Sequence, residues 1–342
     1  MKKQILNWTL RIGVTAGLFV LLFTRFVDPQ QVVAELAGVS VAWLVAAVVL
    51  QAAGVYSSIW RWNFLLLGQD LRLPHGHLVS TYLIGRFFGT FLPSTIGLDA
   101  YRTYDVARRA NATTQSLAVL VVEKLIGFFA LSLMIALTAP WGVRFLPAQV
   151  LGFIFAAFCI PVTLSFVLLL RPGLLLRLLD LPFPFKHKLE GRLRQAVDAV
   201  TVYRNHKGLL LAAVACGVMV HVCTVLVYYA TAQAIGAGVS AQEIFFVGPL
   251  MIAATVGLPS IGGEGVREFT LIGLLGRIGI PESSAFVLGH LGFWAGMLLS
   301  LVGGLLYLLR PADYAVIIRS ARAARTTEPA GAPAAAPAPA LE

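Results

Sequence analysis

Two short stretches of the chain carry nearly the same arrangement of charge. Residues 92–104 read L-P-S-T-I-G-L-D-A-Y-R-T-Y, and residues 258–269 read L-P-S-I-G-G-E-G-V-R-E-F. Deleting one residue aligns Pro93, Ser94, Ile96, Gly97, Asp99, Arg102 and Tyr104 with Pro259, Ser260, Ile261, Gly262, Glu264, Arg267 and Phe269. Each copy sets a carboxylate two residues after the glycine and an arginine three residues after the carboxylate. On a helix, Asp99 and Arg102 share a face, as do Glu264 and Arg267, so each pair can neutralise itself while empty. A guanidinium released from such a pair can hold a phosphate through bidentate hydrogen bonds. The Pro-Ser break before each glycine aims a half-helix N-terminus at the same place, where free N–H groups and the helix dipole favour an anion. For either copy alone, a static ion pair pinning a helix end explains the residues nearly as well. The duplication favours anion recognition.

Other polar residues stand in apolar surroundings. Glu123-Lys124 lies inside the apolar stretch 115–138, and charge at membrane depth usually faces a cavity or a partner. Glu123 could carry a proton or hold an arginine from one of the motifs, while Lys124 is near enough to a helix end to snorkel. Arg86 lies about eight residues into another apolar segment and is a candidate lining for a cavity. His221 and His290 read as helix contacts, and His75 and His77 show no partner carboxylate or thiol, so no metal site is expected. Cys159, Cys216 and Cys223 all fall in apolar stretches and read as small core residues. No nucleotide-binding glycine loop, H-E-x-x-H or G-x-S-x-G occurs, which argues against an ATP-driven pump or a familiar hydrolase.

The elements that must position these residues are set by composition. The chain is 58% hydrophobic and only 12% charged, whereas a soluble domain carries about 25% charged residues. Six segments, roughly 8–27, 41–60, 115–138, 149–170, 208–235 and 286–309, have the ~20 apolar residues that cross a bilayer. The first follows Lys2 and Lys3 without a small-residue cleavage site and reads as an uncleaved helix. Two shorter apolar segments, 78–92 and 244–258, run directly into the repeated motifs. The net charge of +10 is spread between apolar segments and carries topology rather than a nucleic-acid surface.

Those charges fix the sidedness. Loop 28–40 has no Lys or Arg, while Arg61 and Arg72 mark the cytoplasmic side. Loop 171–207 holds eight basic residues, and Arg310, Arg319, Arg322 and Arg325 follow the last span. Both are cytoplasmic by the positive-inside rule. The first motif then enters from the cytoplasm and returns, and the second enters from the outside and returns. That is an inverted-topology repeat with two re-entrant, discontinuous helices. Two ordinary spans per motif preserve the same parity. Residues 1–325 form a single polytopic membrane domain, and the Pro/Ala-rich tail 326–342 cannot form a core.

F-L-P-S-T-I-G-L-D-A-Y-R-T-Y, V-V-E-K-L-I-G and L-P-S-I-G-G-E-G-V-R-E, in that order, resemble the motifs of the lysylphosphatidylglycerol synthase transmembrane family. The family positions fall on Pro93, Gly97, Asp99 and Arg102, on Glu123 and Lys124, and on Pro259, Gly262, Gly263, Gly265, Arg267 and Glu268. Leu98 replaces a family glycine, and Glu264 stands where an apolar residue is usual, which puts a lysyl-lipid cargo in doubt. The best-known members join a flippase-like membrane domain to a soluble aminoacyl-transferase domain. With no such domain after the last span, the resemblance implies a stand-alone flippase-like protein.

The expectation is an all-α integral membrane protein of about six full spans plus the two re-entrant helices, in the bacterial inner (plasma) membrane with both termini cytoplasmic. It would move an anionic phospholipid or polyprenyl-linked lipid between leaflets. Arg102, Arg267, Ser94, Ser260, Gly97, Gly262, Gly263 and Arg86 would bind the head group. Asp99, Glu123, Lys124, Glu264 and Glu268 would gate it or carry protons. Neither cofactor nor metal nor nucleic acid is expected. The partners would be membrane lipids and lipid-synthesis enzymes, and a homo-oligomer is left open. The alternatives are a membrane-embedded lipid or glycosyl transferase, for which the carboxylates suit acid–base work, and a scaffold of a lipid-synthesis complex.

Overall fold

A computed structural model describes residues 13, 16–91, 96–160, 162–164, 167, 201–258 and 263–309. Lys2 and Lys3, most of the basic loop 171–207, Pro93, Ser94, Pro259, Ser260, Gly262 and the tail 326–342 lie outside the described residues. Every regular element among the described residues is helical.

Helix α1 (Ala16–Arg25) and helix α2 (Pro29–Ala37) precede α3 (Val41–Gly68). Then come α4 (His75–Phe91), α5 (Ile96–Ala110), α6 (Thr113–Thr138) and α7 (Ala148–Ile154). The later part holds α8 (Lys207–Ala234), α9 (Ala241–Gly257), α10 (Val266–Leu275) and α11 (Glu282–Leu308). Among the described residues four helices are long and apolar enough to cross a membrane: α3, α6 with its 3-10 extension to Arg144, α8 and α11. Of the other expected spans, 8–27 and 149–170 fall partly outside the described residues, leaving the shorter helices Ala16–Arg25 and Ala148–Leu164. The span expected at 41–60 instead runs on to Gly68, so Arg61 lies inside a helix and not in a loop.

A long–short–short–long order occurs twice. Helices α3 to α6 have 28, 17, 15 and 26 residues, and α8 to α11 have 28, 17, 10 and 27. At 1.5 Å per residue the 17-residue helices reach only about 26 Å. Helices α4 and α5 pack on each other, as do α9 and α10, and α3 runs along α8.

Local sequence explains the breaks. The Ser240–Glu243 capping box starts α9, satisfying donors that would otherwise be orphaned. The helix stops at Gly257, and Leu258 is extended, because a residue before proline is pushed out of the helical region. Gly263 and Gly265 then adopt φ of +81° and +78°, which glycine alone takes without strain. A Cβ on Gly265 would also come within 2.8 Å of Leu18. α5 is the polar exception among the apolar helices: Asp99 sits in its first turn and Arg108 and Arg109 in its last, each on the dipole end that stabilises it.

Small residues allow the close packing. A Cβ at Gly303 of α11 would overlap the Leu83 carbonyl of α4, and one at Gly304 would meet Phe87. Such small-residue seams substitute for a hydrophobic driving force inside a bilayer.

Candidate functional site

Both acid–arginine pairs form as their spacing requires. Arg102 Nη2 lies 2.7 Å from Asp99 Oδ1, and Arg267 Nη2 lies 2.6 Å from Glu264 Oε1. Each arginine has a second carboxylate. Arg102 Nη1 is 2.9 Å from Glu123, and Arg267 Nη2 is 2.6 Å from Glu268. Arg61 also donates to Glu123 at 3.0 Å, and Lys124 Nζ reaches Asp99 Oδ2 at 2.6 Å. The cluster around the first motif therefore joins three cations to two acids: Lys124 and Arg61 flank the Arg102 guanidinium through Asp99 and Glu123.

Aromatic rings finish the enclosure. The Arg102 guanidinium lies 5.2 Å from the Trp62 ring and 5.1 Å from the Tyr82 ring, and that of Arg267 lies 4.9 Å from Phe293. Such contacts stabilise a desolvated cation by about 2 kcal/mol. Arg102, Glu123, Arg267 and Glu268 are all buried. Their pairs offset the desolvation of charge through short contacts, although Arg102 Nε and Glu123 Oε2 are buried without a hydrogen-bond partner among the described residues.

Glu268 has a further task. Its Oε2 accepts from the backbone N–H of Gly265 at 2.8 Å, so it caps α10. The expected free anion site at that half-helix N-terminus is therefore partly filled by the protein's own carboxylate.

The two clusters do not line one cavity, contrary to the symmetrical expectation. A cavity of about 370 Å³ lies between the halves, with Arg86 and Thr90 of α4, Tyr228 of α8, Glu264, Arg267 of α10 and Ser300 of α11 in its wall. Arg102 is not part of that wall. Asp99 and Lys124 instead border a separate, almost wholly apolar groove of about 470 Å³ with Leu120, Leu125 and Phe128. Gly97 serves packing: a Cβ there would come within 2.8 Å of the Phe88 carbonyl oxygen. Gly263 serves the turn described above. Ser94, Ser260 and Gly262 lie outside the described residues.

Several functional candidates escape sequence reasoning. Arg61 contacts Glu123 across 62 positions, and the only sequence signal is that a glutamate in an apolar helix demands a cation. His290 of α11 sets Nδ1 at 3.9 Å from Glu264 and 3.8 Å from Glu268. Glu264, Glu268 and His290 thus gather potential ligand atoms within 4.8 Å of one another, where the sequence offered no metal spacing. Arg267 already engages both carboxylates, so a cation would have to compete with it. His77, read as lacking an acid, pairs with Asp105 at 2.5 Å. His75 packs edge-on to Tyr56 and tilted against Trp60. His221 contacts the Gly127 carbonyl at 3.0 Å, the helix contact expected of it.

Comparison with known proteins agrees with these motifs. The family described as Lysylphosphatidylglycerol synthase TM region matches residues 8–304. A search of curated proteins finds no match. The chain belongs to the Lysylphosphatidylglycerol synthase TM region family, and its long apolar helices make it a membrane protein related to lipid modification or transport.

Proposed function

We propose that this member of the family moves an anionic phospholipid or polyprenyl-linked lipid between leaflets of the membrane, the head group passing through the central cavity while the acyl tails stay in lipid. The observation that carries the reading is the cavity itself. Elements of both halves line it, and it offers cationic and hydroxyl side chains in an otherwise apolar molecule. Its volume of about 370 Å³ lies at the low end of the 300–1,000 Å³ typical of ligand sites, which suits a head group and not a whole lipid.

The twofold helix order supports reading α3–α6 and α8–α11 as an inverted repeat, with α4–α5 dipping from the cytoplasm and α9–α10 from outside. In transporters of this design the substrate site sits at the repeat interface. Arg102 then acts as a fixed post that ties α5 to Glu123 of α6, while Arg267 pairs with Glu264 and Glu268 of its own segment and shapes the cavity wall. Both termini are cytoplasmic in this arrangement, in a bacterial inner membrane.

One observation favours a transferase as the second reading. His290 beside Glu264 and Glu268 is an acid–base constellation of the right types. The engagement of both carboxylates by Arg267 weighs against it.

A single preparation separates the two. Purified protein is reconstituted into liposomes containing fluorescent phosphatidylglycerol and supplied with an aminoacyl or glycosyl donor, leaflet movement is read by dithionite quenching, and the lipid is weighed by mass spectrometry. Movement with unchanged lipid mass is the expected result. Lipid of altered mass without movement would replace transport by transfer.

A further inference from the structure

We infer that Arg86, and neither motif arginine, is the residue that binds the anion, and that its ligand is a phosphodiester monoanion of a lipid head group. This rests on the transport reading for the identity of the site.

The argument starts from unequal neutralisation. Arg61, Arg102 and Arg267 each lie within 3.0 Å of a carboxylate. Arg86, in the middle of α4 and in the cavity wall, has no carboxylate partner among the described residues. Its Nε is buried without any hydrogen-bond partner. Among the described residues its side chain makes one hydrogen bond, from Nη2 to the Gly296 carbonyl at 3.4 Å, so most of its five N–H donors have no acceptor there.

An uncompensated guanidinium at membrane depth is expensive and is a functional site by default. The fold nevertheless makes room for it. A Cβ at Gly296 would lie 3.1 Å from Arg86 Nη2, so the glycine of α11 leaves the guanidinium its place beside the cavity. Thr90 and Ser300 lie one turn further along and hydrogen-bond each other at 2.9 Å, keeping the cavity wall beside Arg86 polar.

Charge narrows the ligand class. Glu264, also in the cavity wall, is held by Arg267 at 2.6 Å. The cavity's unpaired cation is a single charge, which matches the single negative charge of a phosphodiester better than the dianion of a phosphate monoester. The planar guanidinium fork fits two phosphate oxygens at once.

The test uses the purified full chain in detergent, melted with increasing dioctanoylphosphatidylglycerol, with inorganic phosphate, or with dioctanoylglycerol, which lacks phosphate. Wild-type protein, Arg86→Gln and Arg86→Lys are compared. The phosphatidylglycerol probe should raise the wild-type melting temperature saturably and dioctanoylglycerol should not. Arg86→Gln should melt at or above the wild-type temperature without ligand, because it removes an unpaired charge, yet need at least tenfold more phosphatidylglycerol for the same shift. Arg86→Lys should fall between.

An unchanged response in Arg86→Gln overturns the proposal. So does an Arg86→Gln protein that melts well below wild type or fails to fold, since that makes the residue a structural one. Stabilisation by inorganic phosphate at lower concentrations than by phosphatidylglycerol overturns the lipid assignment in favour of free phosphate. Binding is read without transport, so the two readings fail separately. Arg86-dependent binding without leaflet movement removes only transport, and leaflet movement indifferent to Arg86→Gln removes only this proposal.

Discussion

Arg102 is held by Asp99, Glu123, Trp62 and Tyr82. Replacing it takes one of two cations from each of Asp99 and Glu123, which keep Lys124 and Arg61, so the cost should reach at most the roughly 3–5 kcal/mol of a buried pair broken outright. Arg102→Met should therefore lower stability in detergent by up to that amount, and Glu123→Gln should do much the same. The double variant should recover part of the loss, because paired residues do not contribute additively. Thermal unfolding of the four proteins forms the cycle, and simple additivity would refute the pairing. The i, i+3 pairs at Asp99–Arg102 and Glu264–Arg267 were legible in the sequence, because helical periodicity ties near neighbours together. The partner of Arg61 was not. Nothing local relates residues 62 positions apart, and only the packing of α3 on α6 brings them together. The same holds for His290, which meets Glu264 only because α10 packs on α11.

At the scale of elements, the short apolar runs that end in Pro-Ser gave away the two hairpins, and their helices begin and end within a few residues of the expected places. The end of α3 was not legible. An arginine after an apolar run normally marks a loop, but Glu123 neutralises Arg61 and lets the helix continue through Trp62 and Leu65 to Gly68. Re-entrance has its own test in a background with Cys159, Cys216 and Cys223 replaced. Cysteines at Ser94 and Ser260 stand between the two helices of each hairpin in sequence. If the hairpins dip and return, Ser94→Cys should resist an impermeant thiol reagent applied from outside, and Ser260→Cys should resist it from the cytoplasmic side. Rapid labelling of Ser94→Cys from outside, or of Ser260→Cys from the cytoplasm, would show four full crossings instead.

For the whole molecule, apolar composition and ordered motifs made the class and the family legible, and the duplication pointed at the region between the halves. Apart from Arg86, the lining of the cavity was not legible, because it depends on which face each of six helices turns inward. Arg102 and Arg267 look equivalent in the sequence, yet Arg267 reaches the cavity and Arg102 is sealed between α3, α4 and α6. Met297 of α11 lines the cavity and is partly buried, so Met297→Trp would fill the passage without touching either charge cluster. The most direct measurement is the rate at which fluorescent phosphatidylglycerol becomes accessible to dithionite in liposomes holding wild-type or Met297→Trp protein at equal, folded amounts. Passage through the cavity predicts fast exchange in wild type and at least a tenfold slower rate in Met297→Trp. Wild-type exchange no faster than in protein-free liposomes, or equal rates in the two proteins, would contradict it.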